Sequence, residues 1–167
     1  EVLDQMRPVN FGGEMITRVS RDRSYFQKFP GLLETGTPNI SGIVGLAAAI
    51  EYVESQEYQS LHESVAELYS FLLSEIKQLP QVKIYGDCDK NVGIVSFTIV
   101  DESVADVGML LDQQGIAVRV GHHCTMPLMD SLSIDGTIRV SLSVYNDKND
   151  IIRFIAALKS TINMLDI

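Results

Sequence analysis

The sequence predicts an α+β fold, in which a small mixed or antiparallel sheet carries helices on one of its faces. Two observations indicate it. Apolar residues recur at the helical spacing between residues 40 and 78. From residue 82 onward, short runs with a period of two alternate with helical segments in the order ββαββα. We therefore predict a C-terminal α+β domain over residues 37–167, preceded by a loop-rich segment over residues 1–36.

Composition and charge indicate a globular protein and argue against some kinds of binding partner. The 167 residues are 46% hydrophobic and 21% charged, which is typical of one globular domain with a sizeable core. The net charge of -9 argues against binding nucleic acid or an anionic membrane through bulk charge. Cys88 and Cys124 stand in different contexts and make no disulfide framework, which favours a reducing compartment. No signal peptide or apolar run long enough to span a membrane is apparent, so we predict a cytosolic protein.

The first half of the chain is predicted to contain one strand and two helices. Residues 14–19 are expected to form a short strand after a glycine-rich loop. Thr37 is suited to cap a helix whose first residue is Pro38, and apolar residues recur at helical spacing over 40–50. A second amphipathic helix is predicted from about residue 57 to residue 78.

The second half is predicted to alternate strands and helices. Strands are expected over 82–85 and 92–100, where apolar residues alternate with polar ones. Ser103 is expected to cap the next helix, which ends at Gly115. Asp147 is expected to cap the last helix, whose apolar stripe completes the core.

Two further strands are predicted to carry arginines on their polar side. In 116–120 and 137–143 the apolar residues fall on one side, so that Arg119 and Arg139 lie off the core face. These strands flank Cys124 in the sequence. The arginines indicate the cationic wall of a cleft, and two solvated arginines on an open sheet are the alternative.

The stretch Arg119–Cys124, with the sequence R-V-G-H-H-C, carries the strongest chemical signal. A cysteine that follows a strand in a Gly-His-His turn is typical of a presented thiol, and cationic neighbours favour the nucleophilic thiolate. A buried cysteine that acts as a small hydrophobe is the alternative. A metal site at His122, His123 and Cys124 is disfavoured, because adjacent residues rarely all point at one ion. We therefore predict no metal.

Four colinear stretches resemble one enzyme family. The R-V-G-H-H-C stretch at 119–124 resembles the catalytic-cysteine loop of SUF-type (group II) cysteine desulfurases, pyridoxal-phosphate enzymes of the class V aminotransferase group with fold type I. The segments 12–16 (GGEMI), 34–39 (ETGTPN) and 139–146 (RVSLSVYN) resemble further motifs of that family in the same order. The resemblance covers about the last two fifths of such an enzyme. It implies that the α+β domain is the C-terminal small domain of a longer chain.

The resemblance also implies a reaction. Cys124 would take sulfur from L-cysteine as an enzyme persulfide and leave L-alanine, in support of iron–sulfur cluster assembly. Arg139 would hold the substrate carboxylate, which suits a planar bidentate donor. Arg119 would support the same end of the site. A selenocysteine lyase is an alternative that the sequence does not separate from a desulfurase.

The remaining implied roles concern the cofactor and partners. Thr37 would reach the phosphate of pyridoxal phosphate bound by the partner subunit of a homodimer, while His122 and His123 would shape the cysteine loop. The resemblance further implies a sulfur-acceptor protein of an iron–sulfur assembly system as a partner. No lysine of the chain stands in the family's cofactor-binding context. We therefore expect this chain alone to bind no cofactor stably and to be inactive. A non-catalytic dimerisation or interaction module of the same fold is the alternative function.

Overall fold

The computed structural model describes residues 2–86 and 91–165, which divide into two compact units, Glu1–Val53 and Glu54–Ile167. The polar turn that contains Cys88 lies outside the described residues. In chain order the elements are β1 (Ile16–Val19), β2 (Ser24–Phe26), α1 (Ile40–Glu54), α2 (Gln56–Ile76), β3 (Val82–Tyr85), β4 (Ile94–Ile99), α3 (Val104–Gln113), β5 (Arg119–Gly121), α4 (Met126–Leu132), β6 (Thr137–Ser141) and α5 (Lys148–Met164).

The first unit is built from a hairpin, a loop and a helix. β1 and β2 pair antiparallel, with Ile16 opposite Phe26 and Val19 opposite Ser24. The prediction of β1 is confirmed, whereas β2 was not predicted, because it is three residues long and exposed throughout. The predicted C-terminal domain begins at residue 37, before α1, whereas the second unit begins at Glu54, the last residue of α1.

The start of α1 corrects the prediction that Thr37 caps it. The helix begins at Ile40, and the side-chain Oδ1 of Asn39 accepts a hydrogen bond from the Gly42 amide at 3.0 Å. A cap must directly precede the first helical residue if its side chain is to reach the unpaired amides of the first turn. Thr37 lies too early in the chain to do so.

The second unit contains a four-stranded antiparallel sheet in the order β3-β4-β6-β5. Along β4 the burial alternates, so that Val95, Phe97 and Ile99 are buried while their neighbours are half-buried. These side chains share one core with α2, α3 and α5. Each such side chain stabilises the fold by roughly 1.5–3 kcal/mol when fully buried. The predicted α+β layer with helices on one face is confirmed.

The helices of this unit are held by caps and by their apolar stripes. Ser103 accepts from the Asp106 amide at 3.4 Å, as predicted for α3. Asp147 accepts from the Asp150 amide at 3.0 Å, and the Asp150 carboxylate accepts from the Asp147 amide in return, which completes a capping box on α5. Over 2–86 and 91–165, none of the helices is both long enough and apolar enough to cross a bilayer.

The strand predicted over 116–120 is wrong for its first half. The ladder between β5 and β6 begins where Arg119 faces Arg139. Residues 116–118 instead line a cavity of about 210 Å³, together with 140–142 of the neighbouring stretch. The two segments therefore separate where an extended ladder would need them to meet.

A short helix that was not predicted follows the cysteine. α4 spans Met126–Leu132, has Pro127 in its first turn and buries Met129. Proline is favoured at this position because the first turn needs no amide donor there. The cysteine loop is thus bounded by β5 on one side and by α4 on the other.

Candidate active site

The cysteine loop is a tight turn between β5 and α4. Gly121 ends the strand with φ +107°, and the Thr125 amide donates to the His122 carbonyl at 2.9 Å. The two central residues of the turn, His123 and Cys124, both have left-handed backbones, with φ 53° and 60°. Such a conformation costs a non-glycine residue roughly 1–2 kcal/mol. The surrounding contacts must therefore hold this turn in place.

Hydrogen bonds within the turn offset part of that cost. His122 Nδ1 accepts from the Cys124 amide at 3.0 Å. The Thr125 hydroxyl donates to the His122 carbonyl at 2.8 Å. Cys124 itself is a free thiol on an exposed residue. The turn thus fixes the cysteine backbone and leaves its side chain accessible, as expected of a presented nucleophile.

His123 fastens the turn to the neighbouring strand. Its Nε2 lies 2.9 Å from Thr137 Oγ1 and 3.2 Å from the Thr137 carbonyl oxygen. Because a carbonyl can only accept, the proton of a neutral imidazole belongs on Nε2 in this geometry. Nδ1 is then a buried lone pair, and it has no hydrogen-bond partner among the described residues.

Burial and charge both disfavour the protonated form of that imidazole. Burial lowers the pKa of His123 below 6.5, and the guanidinium of Arg139 lowers it further, with smaller contributions from Arg119 and His122. The hydrogen bond to Thr137 opposes these effects but does not cancel them. Protonation would place a donor on the buried Nδ1 and a third positive charge beside two arginines.

The two arginines are direct neighbours across the sheet. Arg119 of β5 faces Arg139 of β6, and Arg139 faces Ser96 of β4 on its other side. Arg139 is half-buried, and its buried Nε has no hydrogen-bond partner in the described part of the chain. Like charges directly opposite each other destabilise a sheet. An anion that accepts from both guanidinium groups would remove that repulsion, and a carboxylate has the matching planar geometry.

Thr37 belongs to the first unit, and the described lysines are distributed over both units. Thr37 is an exposed residue of the first unit, in the loop that follows the left-handed Gly36 with φ +78°. An exposed threonine hydroxyl in such a loop is able to donate to a phosphate oxygen. The described lysines are all solvent-exposed, unlike a cofactor-binding lysine in a desolvated pocket: Lys28, Lys77, Lys83, Lys148 and Lys159. The Thr37 loop therefore fits a contact to the phosphate of pyridoxal phosphate, whereas none of the described lysines fits its covalent attachment.

Five of the six residues singled out in the sequence belong to one unit, where they lie on the paired strands β5 and β6 and in the loop after β5: Arg119, His122, His123, Cys124 and Arg139. Sequence reasoning missed Thr137 and Gly136. A side chain on Gly136 would approach the backbone carbon of Gly121 to 2.7 Å, so this glycine lets β6 abut the base of the turn. The only signal in the sequence was the position of both residues just before Arg139.

Two nitrogen atoms of the turn that could bind a metal ion make hydrogen bonds to the protein instead. His122 Nδ1 accepts from a backbone amide, and His123 Nε2 is bonded to Thr137. Across 2–86 and 91–165, no three histidine, cysteine, aspartate or glutamate side chains converge as a metal site would require.

Comparison with known proteins relates this arrangement to one family. The aminotransferase class-V family matches residues 1–154. A probable cysteine desulfurase of Staphylococcus epidermidis is 39% identical over 162 residues, which are 96% of this chain and 39% of that protein. A probable cysteine desulfurase of Vibrio cholerae is 37% identical over 164 residues, or 98% of this chain and 40% of that protein. This chain therefore spans about two fifths of the length of these relatives.

Solved structures of cysteine desulfurases have a similar fold. The apo structure of a cysteine desulfurase from Thermococcus onnurineus NA1 is 34% identical with a TM-score of 0.82, covering 97% of this chain and 41% of that one. The cysteine desulfurase CsdA from Escherichia coli, in an S-sulfonic acid form, is 29% identical with a TM-score of 0.82, covering 98% of this chain and 40% of that one. These matches confirm the resemblance to class V cysteine desulfurases, while the SUF-type assignment stays a prediction. Because the family matches residues 1–154 of 167, the chain belongs to the aminotransferase class-V family.

Proposed function

We propose that the complete protein containing this chain is a pyridoxal-phosphate-dependent cysteine desulfurase. The observation that carries this proposal is the exposed Cys124 thiol, which lies on a turn with left-handed backbone angles. The turn directly follows β5, where Arg119 faces Arg139 of β6. An enzyme that takes sulfur from an amino acid needs a nucleophile, here in the turn after β5, and a carboxylate site, here on β5 and β6. Pyridoxal phosphate, when bound, supplies the electron sink that weakens the bond between carbon and sulfur in the substrate.

In this proposal each residue has one task. Arg139, with Arg119 beside it, holds the carboxylate of L-cysteine through charge-assisted hydrogen bonds. Cys124 Sγ attacks the substrate sulfur, so that a sulfur–sulfur bond forms as the carbon–sulfur bond breaks, and L-alanine is left. His122 and His123 keep the turn in shape.

Thr37 and the partners belong to the proposal for the whole protein. Thr37 would donate to the cofactor phosphate held by the second subunit of a homodimer. We further propose that the first unit joins a cofactor domain contributed by the rest of the longer chain. The persulfide sulfur on the exposed Cys124 would pass to an acceptor protein of an iron–sulfur assembly system in the cytosol.

The test is the mass of the cysteine peptides of the complete protein after treatment with L-cysteine. We expect a gain of about 32 Da, one sulfur atom, on the peptide that contains Cys124. Cys124→Ser should still bind pyridoxal phosphate, because the thiol takes no part in holding it, and should lose persulfide formation. Cys88→Ser is the matched control and should keep both properties. Sulfur on Cys88 with none on Cys124 would refute the proposal.

A further inference from the structure

Thr137 is a buried polar residue whose hydroxyl is bonded to the cysteine turn. It is only 2% exposed, and its Oγ1 and carbonyl oxygen both lie within hydrogen-bond distance of His123 Nε2. Buried hydroxyl groups are nearly always paired, since an unpaired one loses its hydration without compensation. The bond to His123 therefore gives this buried hydroxyl its partner.

The partner of Thr137 is itself part of the strained segment. His123 and Cys124 both adopt the left-handed conformation, which glycine and asparagine normally occupy in turns. Within the turn, His122 and Thr125 bond to backbone atoms of the turn itself. The bond from His123 differs, because it joins the turn to a strand outside it.

The same strand also carries the candidate carboxylate site. Thr137 and Arg139 are two residues apart on β6, so both side chains lie on one face of the sheet. At the adjoining position, Gly136 packs so close to Gly121 that even a methyl group would collide with its backbone. The start of β6 is therefore in direct contact with the base of the turn.

We propose that Thr137 is a positioning residue of the candidate thiol site. It holds the imidazole of His123, and through it the left-handed turn that places Cys124 at a fixed position relative to Arg139. This role rests on the proposed function, in which Arg139 holds the substrate and Cys124 attacks it. Displacing a reacting group by about 1 Å can slow a reaction on the order of a hundredfold. Because Thr137 and Arg139 both belong to β6, the bond from Thr137 to His123 limits movement of Cys124 relative to Arg139.

The experiment compares Thr137→Val, which keeps the shape and loses the hydroxyl, with Thr137→Ser, which keeps the hydroxyl. In the complete protein loaded with pyridoxal phosphate, we expect Thr137→Val to slow persulfide formation on Cys124 by roughly tenfold, a partial displacement. The dissociation constant for L-cysteine should change less than about twofold, because Arg139 is untouched. Thr137→Ser should stay within about twofold of the parent on both measures, as expected if the hydroxyl matters rather than the shape.

A double-mutant cycle tests whether Thr137 acts through His123. If it does, Thr137→Val should add little to the loss caused by His123→Ala, since the bond between the Thr137 hydroxyl and the imidazole is already absent in His123→Ala. Independent effects that multiply in the double variant would overturn the proposal. So would equal rates for Thr137→Val and the parent protein.

Amide hydrogen exchange separates a failure of this inference from a failure of the proposed function. Without L-cysteine, exchange in the peptide containing residues 121–129 should speed up several-fold in Thr137→Val but not in Thr137→Ser, because the turn opens more often. This outcome would support the positioning role even if the parent formed no persulfide. Unchanged exchange in Thr137→Val would overturn it even if persulfide formed normally.

Discussion

At the scale of single residues, burial and the neighbouring Arg139 lower the pKa of the His123 imidazole that holds the cysteine turn. We predict that the pKa of His123 in the complete protein lies below 6.5, because burial, Arg139 and Arg119 all disfavour the imidazolium. The titration of histidine carbons by NMR, assigned with His123→Gln, measures this pKa directly. A pKa above 6.5 would contradict the described environment.

The same shift predicts how stability depends on pH. Since the folded state takes up this proton less readily than the unfolded chain, the unfolded state gains protons first as pH falls below 6.5. The free energy of unfolding should therefore decrease in that window, and the decrease ends once pH passes below the folded pKa. His123→Gln, which does not titrate there, should lack this component in urea unfolding. A difference between parent and variant that is independent of pH would contradict the linkage.

Arg139 gives a third prediction at this scale. Arg139→Ala should weaken binding of L-cysteine by about 2–5 kcal/mol, the cost of losing one partner of a desolvated charge pair. The measurement is the dissociation constant of L-cysteine in the complete protein. Arg153→Ala removes an exposed arginine of α5 and is the matched control. An unchanged constant for Arg139→Ala would rule out the carboxylate role.

At the scale of elements, the capping box fixes where α5 begins. Asp147→Ala should lower the free energy of unfolding by about 1 kcal/mol, because the side chain no longer accepts from the Asp150 amide. The measure is the urea midpoint of the complete protein. Asn149→Ala, at an exposed position in the same first turn, should have a much smaller effect. If both variants lost the same free energy of unfolding, the capping hydrogen bond of Asp147 would make no specific contribution to stability.

The sequence could predict an element where burial imposes a period on it. α2, α3, α5 and β4 bury regular stripes in one core, and their predicted positions are confirmed within a few residues. β2 and α4 were missed because they are short and mostly exposed, so burial leaves little pattern in them. The extent of β5 was overestimated because alternation along a strand says nothing of where its partner diverges.

The candidate site was predictable only in part, because some of its contacts join residues that are distant in the sequence. The motif around Cys124 and the polar-face position of Arg139 are local, so spacing was enough to indicate them. The bond between His123 and Thr137 joins residues that are fourteen positions apart in the sequence, and it exists only because β5 and β6 pair. No local pattern contains that information. Arg119 likewise lies opposite Arg139 only because of the register between β5 and β6.

At the scale of the whole molecule, α1 indicates that this chain needs a covering partner structure. None of its residues is buried, although apolar side chains project from several of its sides: Ile43 (59% exposed), Val44 (64%), Leu46 (62%) and Ile50 (48%). A helix that is apolar on several sides belongs in the interior of a protein. This agrees with a chain that spans about two fifths of its relatives.

The attachment of the cofactor is the last prediction and concerns the chain taken alone. We expect the 167-residue chain, mixed with pyridoxal phosphate and desalted, to retain no adduct on a specific lysine. A lysine that forms a stable Schiff base is ordinarily desolvated or placed beside another cation so that its amine is nucleophilic, and every described lysine here is exposed. Borohydride reduction followed by peptide mass measurement tests this, with the complete protein as the positive control. One lysine of residues 1–167 modified in high yield would contradict the expectation and place the attachment site within this chain.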